Sequence, residues 1–402
     1  MNEKLRAMPQ TRRLNWIDAA RGAAILGIFM VNAPSFGSPY YMPGMDSPEW
    51  NSALDNVLLG GIDIFFQASF YTLFSILFGF GMQLIFDSRK RDGIRPGWFL
   101  SKRMLVLLVL GSIHAFLIWH GDILFTYAIL GLLLIPFLYT PRWVLLMMIP
   151  ILLIPVVILL TMSSLLGSLL PEGEMDAYMV EAMDTPNKLA AYGHGSYGDI
   201  LQQNWIDWSS SNGVGGIIMG IFMILPLLML GAYLARTKLL HDPVANRRKL
   251  FWFTVITGAI FLIFKAGPYL IGSPLWLSIA QDSIGGPACA LFYLSFITLV
   301  SRLPVFSWIA HQLSYVGRMS LSNYLFQSVF MFFLFYHVGF GLYASFSLIG
   351  FVAFVLGVFI LQVIVSRMWF RYYTFGPVEW LWRILTYGKI QPLRKKKMQR
   401  VS

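Results

Sequence analysis

Apolar runs long enough to cross a hydrocarbon core of about 30 Å recur along the whole chain, separated by breaks that are charged or rich in Gly and Pro. Ten of them begin near Trp16, Ile62, Met104, Ile123, Trp143, Val214, Leu250, Ser283, Leu321 and Phe346. Such runs predict helices, because in lipid each segment must satisfy its own backbone N–H and C=O groups. The expected fold is all-α, a polytopic transmembrane helix bundle of about ten spans. No low-complexity linker and no internal repeat divides residues 1–402, so a single integral-membrane domain is expected.

The polar positions inside the first run, WIDAARGAAILGIFMVN, form a pattern of their own. Arg21 and Asn32 are eleven residues apart, which brings the second to within about 20° of the first, roughly 16 Å further along one helix face. Asp18, three residues before Arg21, is placed to pair with it. A polar stripe on a membrane helix must face protein, water or a ligand. Asp18 and Arg21 also interrupt what would be the apolar core of a cleaved signal peptide, so a retained span is expected.

Composition removes the soluble alternatives. Of 402 residues, 57% are hydrophobic and 12% charged, with a mean hydropathy of +0.66; so few charges cannot keep the surface of a soluble globule of this size hydrated. The net charge of +11 calls for no nucleic acid once the basic residues are placed. All but three of the 30 lysines and arginines fall in segments on one side of the predicted spans, the exceptions being Arg21, Lys188 and Lys265. That asymmetry puts both termini in the cytoplasm. The basic tail 367–402 ends in RKKKMQR, Arg394 to Arg400, a cluster suited to anchoring topology or to meeting anionic membrane lipids.

The opposite segments, 37–57 and the large outward loop 170–212, are acidic and contain Trp50, Trp205 and Trp208. Aromatic side chains there serve as interfacial anchors or as a sugar-binding surface, and the second loop is long enough to close as a lid. Cys289 is the single cysteine, which excludes an intrachain disulfide. No phosphate loop, H-E-x-x-H motif or G-x-S-x-G elbow occurs, which argues against an ATP-driven pump and a membrane zinc protease. The histidines are too dispersed to assert a metal site.

The third and fourth runs form a hairpin, KRMLVLLVLGSIHAFLIWHGDILFTYAILG, tipped by His120, Gly121 and Asp122. His114 falls about 15 Å into the third span, near the midplane. A histidine at that depth is a candidate for moving a proton, or else makes an interhelical hydrogen bond. Asp122 is placed either to orient an imidazole or to cap the fourth span. In GRMSLSNYLFQS, Ser320, Asn323, Tyr324 and Gln327 share one side of the ninth span just after Arg318, a stripe that lines a cavity or packs helices. FGPVEWLWRILTYG reads as an interfacial amphipathic segment with Glu379 and Arg383 paired at i, i+4. Lys265 has no evident local partner.

These segments, taken in order with FYTLFSILFGFGMQ, resemble the YeiB family of bacterial inner-membrane proteins, and the resemblance runs through nearly the whole chain. That family is grouped with integral-membrane acyltransferases, among them sugar O-acetyltransferases and heparan-α-glucosaminide N-acetyltransferase; transport is the competing class. The wider superfamily carries an arginine followed after ten residues by a histidine in its first span. Arg21 matches, whereas Asn32 stands where the histidine would be, so a base must come from elsewhere, and His114 is best placed by depth.

The resemblance implies an acyl group, such as acetyl, moving from cytoplasmic acyl-CoA (acetyl-CoA) to a periplasmic hydroxyl or amine on an envelope glycan or lipid. Arg21 would hold the donor, with Arg318, Tyr324 and Gln327 on the cofactor-binding side. Asn32 would bond the thioester carbonyl, and His114 would act as base with Asp122 setting its tautomer. No metal is expected, and a homodimer is compatible with the chain. In a proton-coupled exporter, His114, Arg21 and Asp18 would instead form a relay.

Overall fold

The computed structural model describes residues 14–41, 50–168, 184–272 and 275–395. They are almost entirely helical; outside the helices only an isolated bridge joins Tyr373 to Arg394. The main helices are α1 (Asn15–Gly37), α2 (Ala53–Phe65), α3 (Ser69–Arg91), α4 (Pro96–Leu117), α5 (Leu124–Leu134) and α6 (Arg142–Gly167). There follow α7 (Tyr197–Asn212), α8 (Val214–Met223), α9 (Leu225–Thr237), α10 (Arg247–Phe261), α11 (Gly286–Val300), α12 (Pro304–Arg318), α13 (Ser320–Phe335), α14 (Leu348–Tyr372) and α15 (Pro377–Tyr387).

Among the described residues, eight helical stretches are long and apolar enough to cross a membrane, and two shorter apolar ones, Leu124–Tyr139 and Ser320–Phe335, accompany them. The short pair are the runs expected near Ile123 and Leu321. The run expected from Ile62 starts earlier, at Ala53, and bends between α2 and α3, where Ala68 takes a left-handed φ of 59°. Gly286 of α11 lies against that bend, so close that a Cβ there would sit 2.8 Å from the Ala68 methyl.

Two helix crossings set the frame. Gly79 of α3 lies on the Leu228 carbonyl of α9, and Gly231 of α9 lies on the Ile76 carbonyl of α3, so any side chain at either position would collide with backbone. Gly22 of α1 and Gly317 of α12 form a second reciprocal pair, on Leu313 and Asp18. Lipid tails are as apolar as leucine, so close backbone approach through small residues is what holds membrane helices together. The expected amphipathic segment is α15, with Trp382 buried and Leu381 and Leu385 exposed. The carboxylate of Glu379 accepts bonds from the amides of Leu321 and Ser322 (2.8 and 3.1 Å), capping α13.

The segment 170–212, expected as a loop, is in its described part largely helix. Ser196 and Asp199 build a capping box at the start of α7, which satisfies two otherwise orphaned amides. Residues 169–183 of that expectation, and the tail beyond Lys395, lie outside the described residues.

Candidate functional site

The hairpin between α4 and α5 builds the site. Helix α4 winds down at His114, whose carbonyl accepts from both Ile118 and Trp119 (3.1 and 3.0 Å). Gly111 lies against the Leu124–Phe125 backbone, which holds the two helices close enough for Asp122 to reach back. Oδ1 of Asp122 accepts from the Phe125 amide at 2.6 Å and Oδ2 lies 2.6 Å from Nδ1 of His114. The one carboxylate thus contacts both the start of α5 and the imidazole, one oxygen to each.

A carboxylate only accepts, so Nδ1 carries the hydrogen, and in the neutral imidazole Nε2 then presents a lone pair. His114 and Asp122 are each 1% exposed. The Tyr324 ring of α13 lies with its centroid 5.3 Å from the imidazole. Neither His114 Nε2 nor the Tyr324 hydroxyl has a hydrogen-bond partner among the described residues, and both are buried. Two buried polar atoms on neighbouring rings without partners among the described residues, one a ring nitrogen and one an O–H, are complementary to a group that both donates and accepts. The buried indole Nε1 of Trp119 likewise has no partner among the described residues, and its ring packs on Phe36 of α1 with centroids 5.0 Å apart.

The other residues singled out from sequence sit elsewhere. Asn32, half-buried one turn before Phe36, forms no hydrogen bond among the described residues and none with the His114–Asp122 pair. Arg21 pairs with Asp18 at 3.0 Å, beside the space left by Gly81 of α3. Arg318 lies over the Phe370 ring, 3.8 Å from its centroid. Gln327 donates to Gln362 of α14 (2.9 Å), and Gln362 in turn donates to the Asn323 carbonyl (3.0 Å), which ties α13 to α14.

Helix α7 closes over the hairpin. Asn204 donates to the Ala115 carbonyl (2.7 Å) and Asn212 to that of His120 (3.0 Å). Asp207 accepts from the Tyr192 hydroxyl (2.7 Å) and lies 3.7 Å from Nδ1 of His120. Burial pushes His120 down to about 4, with Asp207 opposing the shift; its imidazole is neutral near pH 7.

A second polar centre escaped the sequence. Lys265, fully buried, reaches Asp282 at 2.7 Å and Asp63 at 3.3 Å. Asp63 also accepts from Tyr269 (2.9 Å) and Gln281 (2.6 Å). Lys265 lies in one π-helical turn, Leu262–Ala266, and Asp282 in another, Gln281–Gly285; such widened turns recur at functional sites. Asp63 lies 202 positions from Lys265, so no spacing rule connects them. The only local signal was an unpaired intramembrane lysine, which requires a partner.

Comparison with known proteins gives kinship. Residues 234–389 match a family described as "Protein of unknown function (DUF418)". The uncharacterized protein YxaH of Bacillus subtilis is 31% identical over 403 residues, covering 96% of each chain. The uncharacterized protein YeiB of Escherichia coli is 30% identical over 403 residues, covering 94% of this chain and 98% of its own. An uncharacterized 39.9 kDa protein encoded in the amylase 3′ region of Bacillus acidopullulyticus is 27% identical, covering 96% and 97%.

Proposed function

The chain belongs to the YeiB-like family of DUF418 proteins, and from that premise we propose that it is a bacterial inner-membrane acyltransferase. The donor is an acyl-CoA, such as acetyl-CoA, entering from the cytoplasm; the acceptor is a hydroxyl or amine of an envelope glycan or lipid on the periplasmic side. The distribution of lysine and arginine supports this orientation. The observation that carries the reading is the unpartnered pair of buried atoms, His114 Nε2 and the Tyr324 hydroxyl.

In this mechanism His114 Nε2 takes the proton of the acceptor as its oxygen or nitrogen attacks the thioester carbonyl. The tetrahedral oxyanion accepts from the Tyr324 hydroxyl. Asp122 holds Nδ1–H and stabilises the imidazolium. The C–S bond then breaks and the departing thiolate takes the proton from Nε2, leaving an acylated acceptor and free CoA. Arg21 lies toward the cytoplasmic entry of the donor, and α7 excludes water above the hairpin.

The test is incubation of the purified protein with radiolabelled acetyl-CoA and crude envelope glycans. Label should pass to the glycan fraction, and His114→Ala should abolish the transfer. Absence of CoA binding at millimolar concentration refutes the enzyme; full transfer by His114→Ala removes only this choice of base.

The Lys265–Asp63–Asp282 centre favours a second reading, proton-coupled transport, because buried ionisable groups in spans also mark ion pathways. Substrate-dependent proton flux in liposomes, lost in Lys265→Met while CoA has no effect, would establish it over the first.

A further inference from the structure

The Lys265 centre holds more negative than positive charge. Two carboxylates, Asp63 of α2 and Asp282 of the Gln281–Gly285 turn, contact one ammonium at 3.3 and 2.7 Å. No other lysine, arginine or histidine pairs with either among the described residues. The remaining titratable side chains around the centre are Tyr269, Tyr41, Tyr71 and Cys289, all uncharged at neutral pH by their ordinary values. With both carboxylates and the ammonium ionised, one negative charge is therefore left over. Two carboxylates on one ammonium keep both charges only against mutual repulsion, and an uncompensated ion is costly inside a membrane.

The two carboxylates are not equivalent. Asp63 is buried and uses both oxygens: Oδ1 accepts from Lys265, and Oδ2 accepts from the Tyr269 hydroxyl and the Gln281 amide. Asp282 accepts from Lys265 alone, through Oδ1; its Oδ2 has no partner among the described residues, and its side chain is 38% exposed. One open oxygen decides what can neutralise the excess charge. A metal ion such as Ca²⁺ or Mg²⁺ gathers six or so oxygen ligands, whereas a proton needs one. The two π-helical turns that carry Lys265 and Asp282 are joined directly, since the Gln281 amide also donates to the Lys265 carbonyl at 3.1 Å.

We propose that Asp282 is the reversible proton-binding group of this centre, with Asp63 as the fixed counterion of Lys265. A proton from water adds to Oδ2 of Asp282 and turns the carboxylate into a carboxylic acid; no other bond forms or breaks. The ion pair between Asp282 and Lys265 then becomes a hydrogen bond to a neutral acceptor, and the ammonium is left to Asp63. Release of the proton restores the shared arrangement. Proton uptake thus shifts the hold on Lys265 from the neighbouring π-helical turn to α2. A part for this proton in driving transport rests on the second reading above; the proton site itself does not.

The full-length protein in phosphatidylcholine nanodiscs is titrated over the pH range in which circular dichroism shows it folded, and the protonated-carboxyl band is followed by infrared difference spectroscopy. The parent should show a carboxyl signal that disappears reversibly as pH rises and shifts in D2O. Asp282→Asn should lose that signal and take up one proton fewer per chain. Asp282→Glu keeps the acid and should retain a signal at a shifted frequency, which guards against misfolding of the asparagine variant. A spectrum unchanged in both Asp282 variants, or a signal lost in Asp63→Asn and kept in Asp282→Asn, overturns the proposal. A signal that belongs to Asp282, without substrate-dependent proton flux in liposomes, upholds the proton site and refutes transport. Flux that persists in Asp282→Asn with the parent's carboxyl spectrum refutes the site and leaves transport standing.

Discussion

Replacing Asp122 by asparagine separates the catalytic from the structural role of one side chain. The new carboxamide would keep an oxygen for the Phe125 amide, now bound at 2.6 Å, and asparagine caps helices about as well as aspartate. The other position changes sign: an NH2 donor would face His114 Nδ1, now 2.6 Å from the carboxylate. The imidazole must then accept at Nδ1 and carry its hydrogen on Nε2, where no lone pair remains to receive a proton. The wrong tautomer costs a serine-protease triad about 10⁴ in rate, and a loss of about 10³ to 10⁴ is expected in acyl transfer. Stability should fall by about 1 kcal/mol, the difference between a hydrogen bond to a charged group and a neutral one. Asp122→Ala should cost about 1 kcal/mol more by removing the cap. Paired assays of transfer rate and thermal unfolding test this. Normal turnover in Asp122→Asn, or a stability loss equal to that of Asp122→Ala, would refute the division of labour.

Tyr324→Phe removes a buried hydroxyl that has no hydrogen-bond partner among the described residues, so thermal stability should hold while kcat falls about 10²-fold, as for loss of one oxyanion donor; a drop in KM alone would contradict this. Lys265→Met leaves Asp63 and Asp282 facing each other in the bundle and should destabilise by about 3–5 kcal/mol, with Asp63→Asn in the same chain restoring part of the loss; unfolding curves of the single and double variants decide it. His120 is held at about 4 by burial, below its unfolded value of about 6.5. Between those values the unfolded chain binds the extra proton, so stability is complete above about pH 6.5 and declines by up to about 3 kcal/mol as pH falls toward 4. His120→Gln should flatten that part of the melting temperature–pH curve, and an unchanged slope would remove His120 as the cause.

That the chain is all-helical, with helices fit for a membrane, follows from its residues alone, because apolar length and backbone hydrogen bonding leave one solution. The residues also pointed to His114 and Asp122, since eight positions across a hairpin is a local relation that a short turn converts directly into contact. The cap on α5 was equally local. Periodicity, however, reports which face of a helix is polar and says nothing of which helix meets that face. Folding in three dimensions set Tyr324 beside His114, gave Lys265 its two aspartates, turned Glu379 onto the start of α13 and laid the Trp382 ring of α15 beneath the Arg103 guanidinium of α4. These are choices among helices that all look alike to lipid, and small-residue crossings such as Gly79 on Leu228 and Gly22 on Leu313 make them by deciding which backbones come close enough for polar side chains to meet.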